Sequence, residues 1–240
     1  MAKAISILII NPNSSQSMTT ALEPILADLR HPGLSLGYHT GPAGLAPPSV
    51  NDHATSVLSA AHTFEAILPL IVVGECSGNE YDAYLVACFS DHPLVGMIRE
   101  RTSKPVLGIF EASVMQALAL GKPFGIVTTG QYWEAALTAG LRRIFGSEDI
   151  GGAFVGVQST GMTASELHDT QPDVVAEKIS AATSCVVAKG ARTIIMGCAG
   201  MSGMEQAVRN GSNGMGVRVV DAVRSGVTIL EGLVRAQGGR

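Results

Sequence analysis

Two cysteines stand at matching points in two similar stretches of the chain. Residues 84–91 form an apolar run that reaches Cys88 and then breaks into a turn, and residues 193–200 do the same at Cys198. A thiol suits proton transfer near neutral pH because its ordinary pKa is about 8.5 and the N-terminus of a following helix can lower it. A thiolate and a thiol on opposite faces of one carbon atom could take a proton from one side and return one to the other. The two cysteines therefore indicate proton transfer at carbon.

The remainder of the chain must hold these strand ends in place. Strands alternating with helices are typical of an α/β fold with parallel sheets. Ligands of such sheets bind beyond the carboxyl ends of the strands, where both cysteines, Asn11 and Thr128 fall. Short apolar runs predict strands at residues 5–10, 35–40, 84–88, 106–109, 124–130, 153–157, 193–198 and 217–220.

The pattern of strand ends occurs twice along the chain. Thr128 lies 117 positions after Asn11, and Cys198 lies 110 positions after Cys88. A period of this length is too long for a solenoid repeat and indicates a duplicated α/β lobe. We therefore predict two pseudo-symmetric lobes, each with a parallel sheet flanked by helices, and an active site in the cleft between them. The first lobe is predicted to comprise residues 1–103 and 214–240, and the second residues 104–213.

Composition excludes several classes of function. The net charge is −4 without a basic stripe, which argues against a nucleic-acid partner, and no apolar run reaches the roughly 18 residues of a membrane span. The N-terminus runs directly into a strand, which predicts a cytoplasmic protein with free thiols. The chain has neither a CxxC pair for zinc nor a GxGxxG or GxxxxGK[ST] motif. We expect no metal and no cofactor, and a small molecule as the substrate.

Other residues near the cysteines have weaker signals. Backbone N–H groups in the turns at Phe89 and Ser90, and at Ala199 and Gly200, could stabilise an enolate oxygen. Asp91 is expected to cap the helix that follows Cys88.

Three further positions carry simpler expectations. His92 precedes a proline and is expected at the surface. Cys185 falls inside a helical pattern and is expected in the core, and Cys76 is expected to be incidental.

Three segments resemble a known family. Residues 9–15, 87–94 and 196–201, in this order, resemble the hydantoin and allantoin racemase branch of the aspartate/glutamate racemase superfamily. The resemblance covers nearly the whole chain. Ser90 stands where a glycine is more usual, and His92 precedes the proline, so the chain departs from the pattern in the turn beside Cys88.

The resemblance implies a cofactor-independent, two-base mechanism in which Cys88 and Cys198 each serve one enantiomer as base and the other as acid. It also implies two four-stranded lobes, with the C-terminal segment returning to the first lobe, and a homo-oligomer. Asn11, Thr128 and Thr129 would bind the polar edge of the substrate, although such residues also cap helices and close turns. The strand-end motifs contain no cationic residue, which suits a hydantoin better than a free amino acid.

Other functions stay open on the same scaffold. Another amino-acid-type racemase is one alternative. A two-cysteine lobe pair also resembles maleate cis-trans isomerase, in which one cysteine adds to a double bond. Relatives with one cysteine resemble arylmalonate decarboxylase, which the presence of both Cys88 and Cys198 disfavours. A non-catalytic protein that binds a small molecule is a further alternative, because a fold does not by itself fix a function.

Overall fold

The computed structural model describes residues 4–72, 81–148 and 150–238. Within these residues the chain forms eight strands and nine α-helices. The strands are β1 (Ile5–Asn11), β2 (Leu34–Thr40), β3 (Ala83–Val86), β4 (Val106–Gly108), β5 (Phe124–Thr128), β6 (Phe154–Ser159), β7 (Thr193–Gly197) and β8 (Arg218–Asp221). The helices are α1 (Gln16–Ile25), α2 (His53–Ile71), α3 (Pro93–Arg99), α4 (Ile109–Ala119), α5 (Tyr132–Phe145), α6 (Glu166–Asp169), α7 (Pro172–Ala188), α8 (Glu205–Gly211) and α9 (Ala222–Ala236).

The strands form two four-stranded parallel sheets with the same order. The first sheet runs β2-β1-β3-β4 and the second β6-β5-β7-β8. In the first sheet Ile10 pairs with Val86, and in the second Thr128 pairs with Gly197, so β3 and β7 occupy equivalent places. The predicted α/β fold with two four-stranded parallel sheets flanked by helices is confirmed.

The chain divides into two compact units. The first comprises the described parts of Met1–Cys88, His92–Ile109 and Gly226–Arg240, and the second comprises Phe89–Asp91 and Phe110–Ser225. These bounds differ from the predicted lobes at three places.

Each difference has a visible reason in the pairing or packing. Residues 104–109 belong to the first unit because β4 pairs with β3. Residues 214–225 belong to the second unit because β8 pairs with β7. The three residues after Cys88 pack in the second unit.

The core of the first unit lies on both faces of its sheet. Alternate side chains of a strand point to opposite faces. Tyr84 and Val86 join the core cluster that contains Ile67 of α2. Leu85 points the other way and contacts Gly226 of α9 so closely that a Cβ at Gly226 would collide with its methyl groups. Both faces of β3 are therefore covered, which explains its fully apolar sequence.

The core of the second unit is built between its sheet and α7. Val127 of β5 and Met196 of β7 pack with Val186 of α7. Gly125 allows a close approach, because a Cβ there would lie 2.8 Å from Cβ of Val186. The buried positions of α7 recur at the three- and four-residue spacing of one helix face.

Helix α2 is apolar along most of its 19 residues. By length and composition it could cross a membrane, so the prediction that no segment is long enough fails at this helix. Its buried side chains include Ala60, Ile67 and Ile71, which join the core of the first unit. Val57 and Leu58 are exposed on the other side of the helix. One face of α2 is thus part of a packed core.

Candidate active site

Cys88 follows the second inner strand of the first sheet. The N–H of Ala87 donates to the carbonyl of Ile10 at 2.8 Å, which extends the pairing of β3 with β1 by one residue. Cys88 comes directly after this bond, and it is half-buried against the core cluster of the first unit. Pairing in the sheet therefore fixes the backbone that leads directly to Cys88.

The turn after Cys88 is anchored in the second unit. The ring of Phe89 packs edge-to-face on Phe110, with centroids 5.2 Å apart. Arg143 Nε donates to Asp91 Oδ2 at 2.5 Å. Asp91 therefore forms an ion pair, and the prediction that it caps the following helix is wrong. Ser90, between these two anchors, is buried.

His92 is the residue that caps α3. Its Nδ1 accepts a hydrogen bond from the N–H of Leu94 at 3.3 Å, and its Nε2 lies 3.0 Å from Oγ of Ser59. His92 is 2% exposed, so the prediction of a surface histidine is wrong. The sequence signal that could have revealed it is the pair His92-Pro93. A proline at the first helical position places the residue before it at the cap.

Cys198 follows the equivalent strand of the second sheet and opens the 3-10 turn Ala199–Met201. The residue is half-buried, whereas its thiol is packed among protein atoms. Burial raises the pKa of this thiol to about 11, and the backbone N–H groups of Gly200 and Met201 oppose the rise. A buried thiol loses the hydration of its charged form. Cys198 is therefore held as a neutral thiol near pH 7.

Two of the N–H groups after Cys198 lie close to its sulfur atom, and that of Met201 also donates to the carbonyl of Cys198 at 3.0 Å. The sequence indicated that the turn at Ala199 and Gly200 could bind a substrate oxygen. In the structure the N–H groups of Gly200 and Met201 lie where they stabilise the thiolate form of Cys198. Such donors make the proton easier to remove than burial alone would allow.

Thr128 closes the strand ends of the second sheet. Its Oγ1 donates to the carbonyl of Gly197 at 2.9 Å, directly before Cys198. The carbonyl of Thr128 accepts from the N–H of Thr160, and that of Thr129 accepts from the N–H of Gly161. The hydroxyl hydrogen of Thr128 is therefore already in a hydrogen bond. This bond fixes the end of β7 directly before Cys198.

Asn11 organises the loop after β1. Its Nδ2 donates to Asn13 Oδ1 at 2.9 Å and to Thr19 Oγ1 at 3.0 Å, and it lies 3.2 Å from the carbonyl of Ser15. Asn11 is 4% exposed. Its amide hydrogens are therefore used inside the first unit, as expected of a residue that closes a turn.

Asp221 is a buried carboxyl group that the sequence did not single out. It ends β8, and its Oδ1 accepts from the N–H groups of Val223 and Arg224 at 2.9 Å each. Burial raises its pKa, the hydroxyl of Ser202 opposes the rise, and the charge of Glu205 adds to it. Its Oδ2 is one of three buried side-chain atoms in the described residues with no partner in hydrogen-bond geometry. The strand-end rule that found the cysteines would also have found Asp221.

The other cysteines stand apart from the strand ends. Cys185 is exposed on α7, so the prediction that it lies in the core is wrong. The buried face of α7 includes Val175, Ile179 and Ala182, and position 185 falls outside that face. Cys76 lies outside the described residues. Among the described residues no cluster of three or more His, Cys, Asp or Glu side chains could hold a metal ion.

Each sheet thus presents a cysteine at the carboxyl end of its equivalent inner strand. At the first sheet the structure places Asn11 beside the strand of Cys88. At the second it brings Thr128, Phe89 and Gly197 together next to Cys198. A thiol can accept or release a proton, and at Cys198 backbone donors favour the charged form, which fits the chemistry indicated by the sequence.

Comparison with known proteins identifies the family of the chain. The family model for Asp/Glu/Hydantoin racemase matches residues 7–230. Uncharacterized protein C1F7.10 of Schizosaccharomyces pombe is 36% identical over 233 residues, covering 96% of this chain and 92% of that protein. A hydantoin racemase of Rhizobium meliloti is 30% identical over 230 residues, covering 95% and 88%. The crystal structure of allantoin racemase from Pseudomonas fluorescens has a TM-score of 0.82 at 26% identity, covering 97% and 92%. The chain belongs to the Asp/Glu/Hydantoin racemase family.

Proposed function

We propose that this protein is a cofactor-independent racemase of 5-substituted hydantoins or of allantoin, with Cys88 and Cys198 as its two acid–base groups. The observation that carries the proposal is the equivalent placement of the two thiols. Each follows the same inner strand of a sheet with the same strand order. A hydantoin racemase among the relatives and an allantoin racemase among the similar structures support this substrate class.

Packing inside the second unit brings the turn after Cys88 to the end of β7. A Cβ added to Gly197 would lie 3.2 Å from Cε1 of Phe89. Cys88 is covalently bonded to Phe89, and Cys198 to Gly197. The direct chain neighbour of Cys88 therefore packs against the direct chain neighbour of Cys198 within the second unit.

The proposed reaction needs no external reactant. A thiolate removes the hydrogen at C5 of the ring, and the electron pair of the C–H bond moves onto the neighbouring carbonyl oxygen as an enolate. The electron pair of the enolate then returns from oxygen to C5 and takes the proton of the opposite thiol from the other face, which restores the carbonyl group and inverts the configuration at C5. The enzyme is left with thiol and thiolate exchanged, and proton exchange with water restores it.

The resting protonation state follows from the burial of Cys198. Its raised pKa makes Cys198 the neutral thiol at the start, so Cys88 would be the first base. For the opposite enantiomer Cys198 must lose its proton, and the N–H groups of Gly200 and Met201 favour that charged form.

The substrate would be bound by uncharged groups. Asn11 and Thr128 use their side chains within their own units, which supports a positioning role for both. The remaining residues that we propose to bind the substrate are Phe89, Ser90, Thr129, Ala199 and Gly200. They offer an aromatic ring, hydroxyls and peptide groups, which match the amides of a hydantoin ring better than the charges of a free amino acid.

Optical rotation and deuterium exchange at C5 test the proposed racemisation. Optically pure 5-substituted hydantoins and allantoin are incubated with the enzyme in deuterated water, and rotation and deuterium at C5 are followed together. We expect loss of rotation with incorporation of one deuterium per inversion. Cys88→Ser and Cys198→Ser should each abolish racemisation, and each should retain exchange at C5 for one enantiomer at most. Absence of exchange with every compound would overturn the proposal, and dependence on a single cysteine would favour an isomerase.

We also propose that the chain forms a homo-oligomer, as the family resemblance implies. Light scattering on the purified protein, with reductant present because Cys185 is exposed, measures the molar mass directly. A molar mass equal to the 24.8 kDa chain would contradict it.

A further inference from the structure

Helix α2 carries three buried hydroxyl groups on one face. Ser56, Ser59 and Thr63 are separated by three and four residues, so they share one side of the helix. Ser59 and Thr63 are fully buried. A buried hydroxyl without a hydrogen bond is unfavourable, so each needs a partner. Their partners explain why polar residues interrupt the apolar face of this helix.

Thr63 is bonded to the loop that follows β1. Its Oγ1 donates to the carbonyl of Pro12 at 3.0 Å. Gly41 completes this contact, because its N–H donates to the carbonyl of Asn11 and a Cβ there would lie 2.9 Å from Oγ1 of Thr63. Helix α2 therefore holds the loop of Asn11 from one side.

Ser59 is bonded to His92, four residues after Cys88. The Nδ1 of His92 accepts from the N–H of Leu94, so in the neutral ring Nε2 carries the hydrogen. Nε2 then donates to Ser59 Oγ at 3.0 Å, and Ser59 donates to the carbonyl of Ser56 at 2.9 Å. In this chain of hydrogen bonds from Leu94 to Ser56 each donor has an acceptor when the hydrogen of the His92 ring is on Nε2.

Capping alone does not account for a histidine at this position. Ser, Thr, Asp and Asn are the preferred caps, and any of them would bind the N–H groups of α3. A histidine can cap α3 with one ring nitrogen and form a hydrogen bond to another helix with the other. Here that helix is α2. The ring thus ties the segment that follows Cys88 to a helix that also holds the loop of Asn11.

We propose that His92, fixed in its Nε2–H form by Ser59, is a positioning residue for Cys88. The role rests on the proposed racemisation, in which the sulfur must be aimed at C5. The ring holds the end of the turn whose start is Cys88, and α2 supplies the fixed support. A sulfur displaced by part of an ångström would lose its alignment with the C–H bond, which lowers the rate more than the affinity.

Three variants separate the two functions of the ring. Ser59→Ala removes the partner on α2. His92→Asn keeps an acceptor for the N–H of Leu94 and is too short for Ser59. His92→Gln keeps a donor near the position of Nε2. Ser56→Ala is the matched control, because Oγ of Ser56 donates to the carbonyl of Asp52 on the same helix face, away from His92.

The first measurement is steady-state kinetics. We expect Ser59→Ala and His92→Asn each to lower kcat by about ten- to a hundredfold with little change in KM. The double variant with Ser59→Ala and His92→Asn should have the same kcat as either single variant, because both substitutions remove the same hydrogen bond. His92→Gln should recover part of the rate, and Ser56→Ala should leave kcat unchanged.

The second measurement does not depend on turnover. The rates at which iodoacetamide modifies Cys88 and Cys198 are measured in the same molecule by mass spectrometry. Ser59→Ala and His92→Asn should change the rate at Cys88 relative to Cys198, and Ser56→Ala should not. Equal changes at both cysteines, or equal effects of Ser56→Ala and Ser59→Ala, would overturn the proposal. A clear effect on Cys88 without racemisation of any hydantoin would instead contradict the proposed function alone.

Discussion

The ring of Phe89 lies against Gly197, and each residue is the direct neighbour of one of the two strand-end cysteines. Gly197 has no room for a side chain there. A Cβ would lie 2.7 Å from the carbonyl oxygen of Val127 and 2.8 Å from Cγ2 of Ile126, in addition to the contact with Phe89. The absence of a side chain at position 197 therefore allows the turn after Cys88 to pack at the end of β7.

Gly197→Ala should displace this turn. We expect a loss of stability of about 1–3 kcal/mol from overpacking, and a loss of racemisation larger than this loss of stability would explain. Gly216→Ala is the control, because a Cβ there meets nothing within 4 Å and the backbone is not left-handed. Denaturant unfolding and kinetics on both variants measure the two effects. Full activity of Gly197→Ala would show that the contact does not matter for the reaction.

Thr128→Val tests the bond between strand ends in the second sheet. Valine keeps the shape of threonine but cannot donate to the carbonyl of Gly197. We expect a cost of about 1–3 kcal/mol, because a buried acceptor loses its partner. Thr128→Ser retains the hydroxyl and should retain most of the stability and activity. A valine variant as active as wild type, with serine inactive, would instead indicate that the methyl group is what matters.

The raised pKa of Cys198 predicts how stability depends on pH. The folded protein holds the thiol proton more tightly than the unfolded chain, so this contribution is fully present below about pH 9. It is lost as the pH rises from about 9 to about 11. Over that window the free energy of unfolding of wild type should fall relative to Cys198→Ser. Alkylation of Cys198 should accelerate through the same range, with the exposed thiol of Cys185 as an internal reference. Equal alkylation of both thiols at neutral pH would contradict this.

Asp221→Asn and Asp221→Ala separate capping from charge. Asparagine keeps an oxygen for the N–H groups of Val223 and Arg224, whereas alanine loses the cap at a cost of about 1 kcal/mol. Because burial raises the pKa of Asp221, its proton favours the folded state, and this stabilisation declines as the pH rises above the ordinary value of 3.8. The asparagine variant should therefore gain stability relative to wild type as the pH rises above about 4. A decline of that variant over the same range would indicate a favourable buried charge.

Much of the fold could be predicted because its strands are short apolar runs between helices. Residues 193–197, and residues 5–10 apart from the half-buried Ser6, are buried on both faces, and strands of this kind consist almost entirely of apolar residues. The partition of the edge strands could not be predicted. β4 has three residues and β8 has four, and which sheet each one joins depends on the path of the preceding crossover rather than on its own sequence.

The sequence predicted that Cys88 and Cys198 follow strands, and the structure places both there. Three expectations for other residues were wrong, because they depend on partners that are distant in the sequence. His92 is buried because Ser59, 33 residues away, offers a hydroxyl group. Asp91 pairs with Arg143, 52 residues away, and does not cap the adjacent helix. Cys185 is exposed because the phase of α7 is set by the sheet that it covers. The proposed catalytic roles of Cys88 and Cys198 remain predictions for the experiments above.

Because residues 89–91 belong to the second unit, recombination between related genes would disturb their packing. A hybrid gene joined near residue 109, with its start from one relative and its end from another, would bring a native Phe89 and Asp91 to a foreign Phe110, Arg143 and Gly197. Recombination between family members at this apparent boundary would therefore mismatch the turn after Cys88. Substitutions at these five positions are expected to co-vary among homologues, although they lie far apart in the gene.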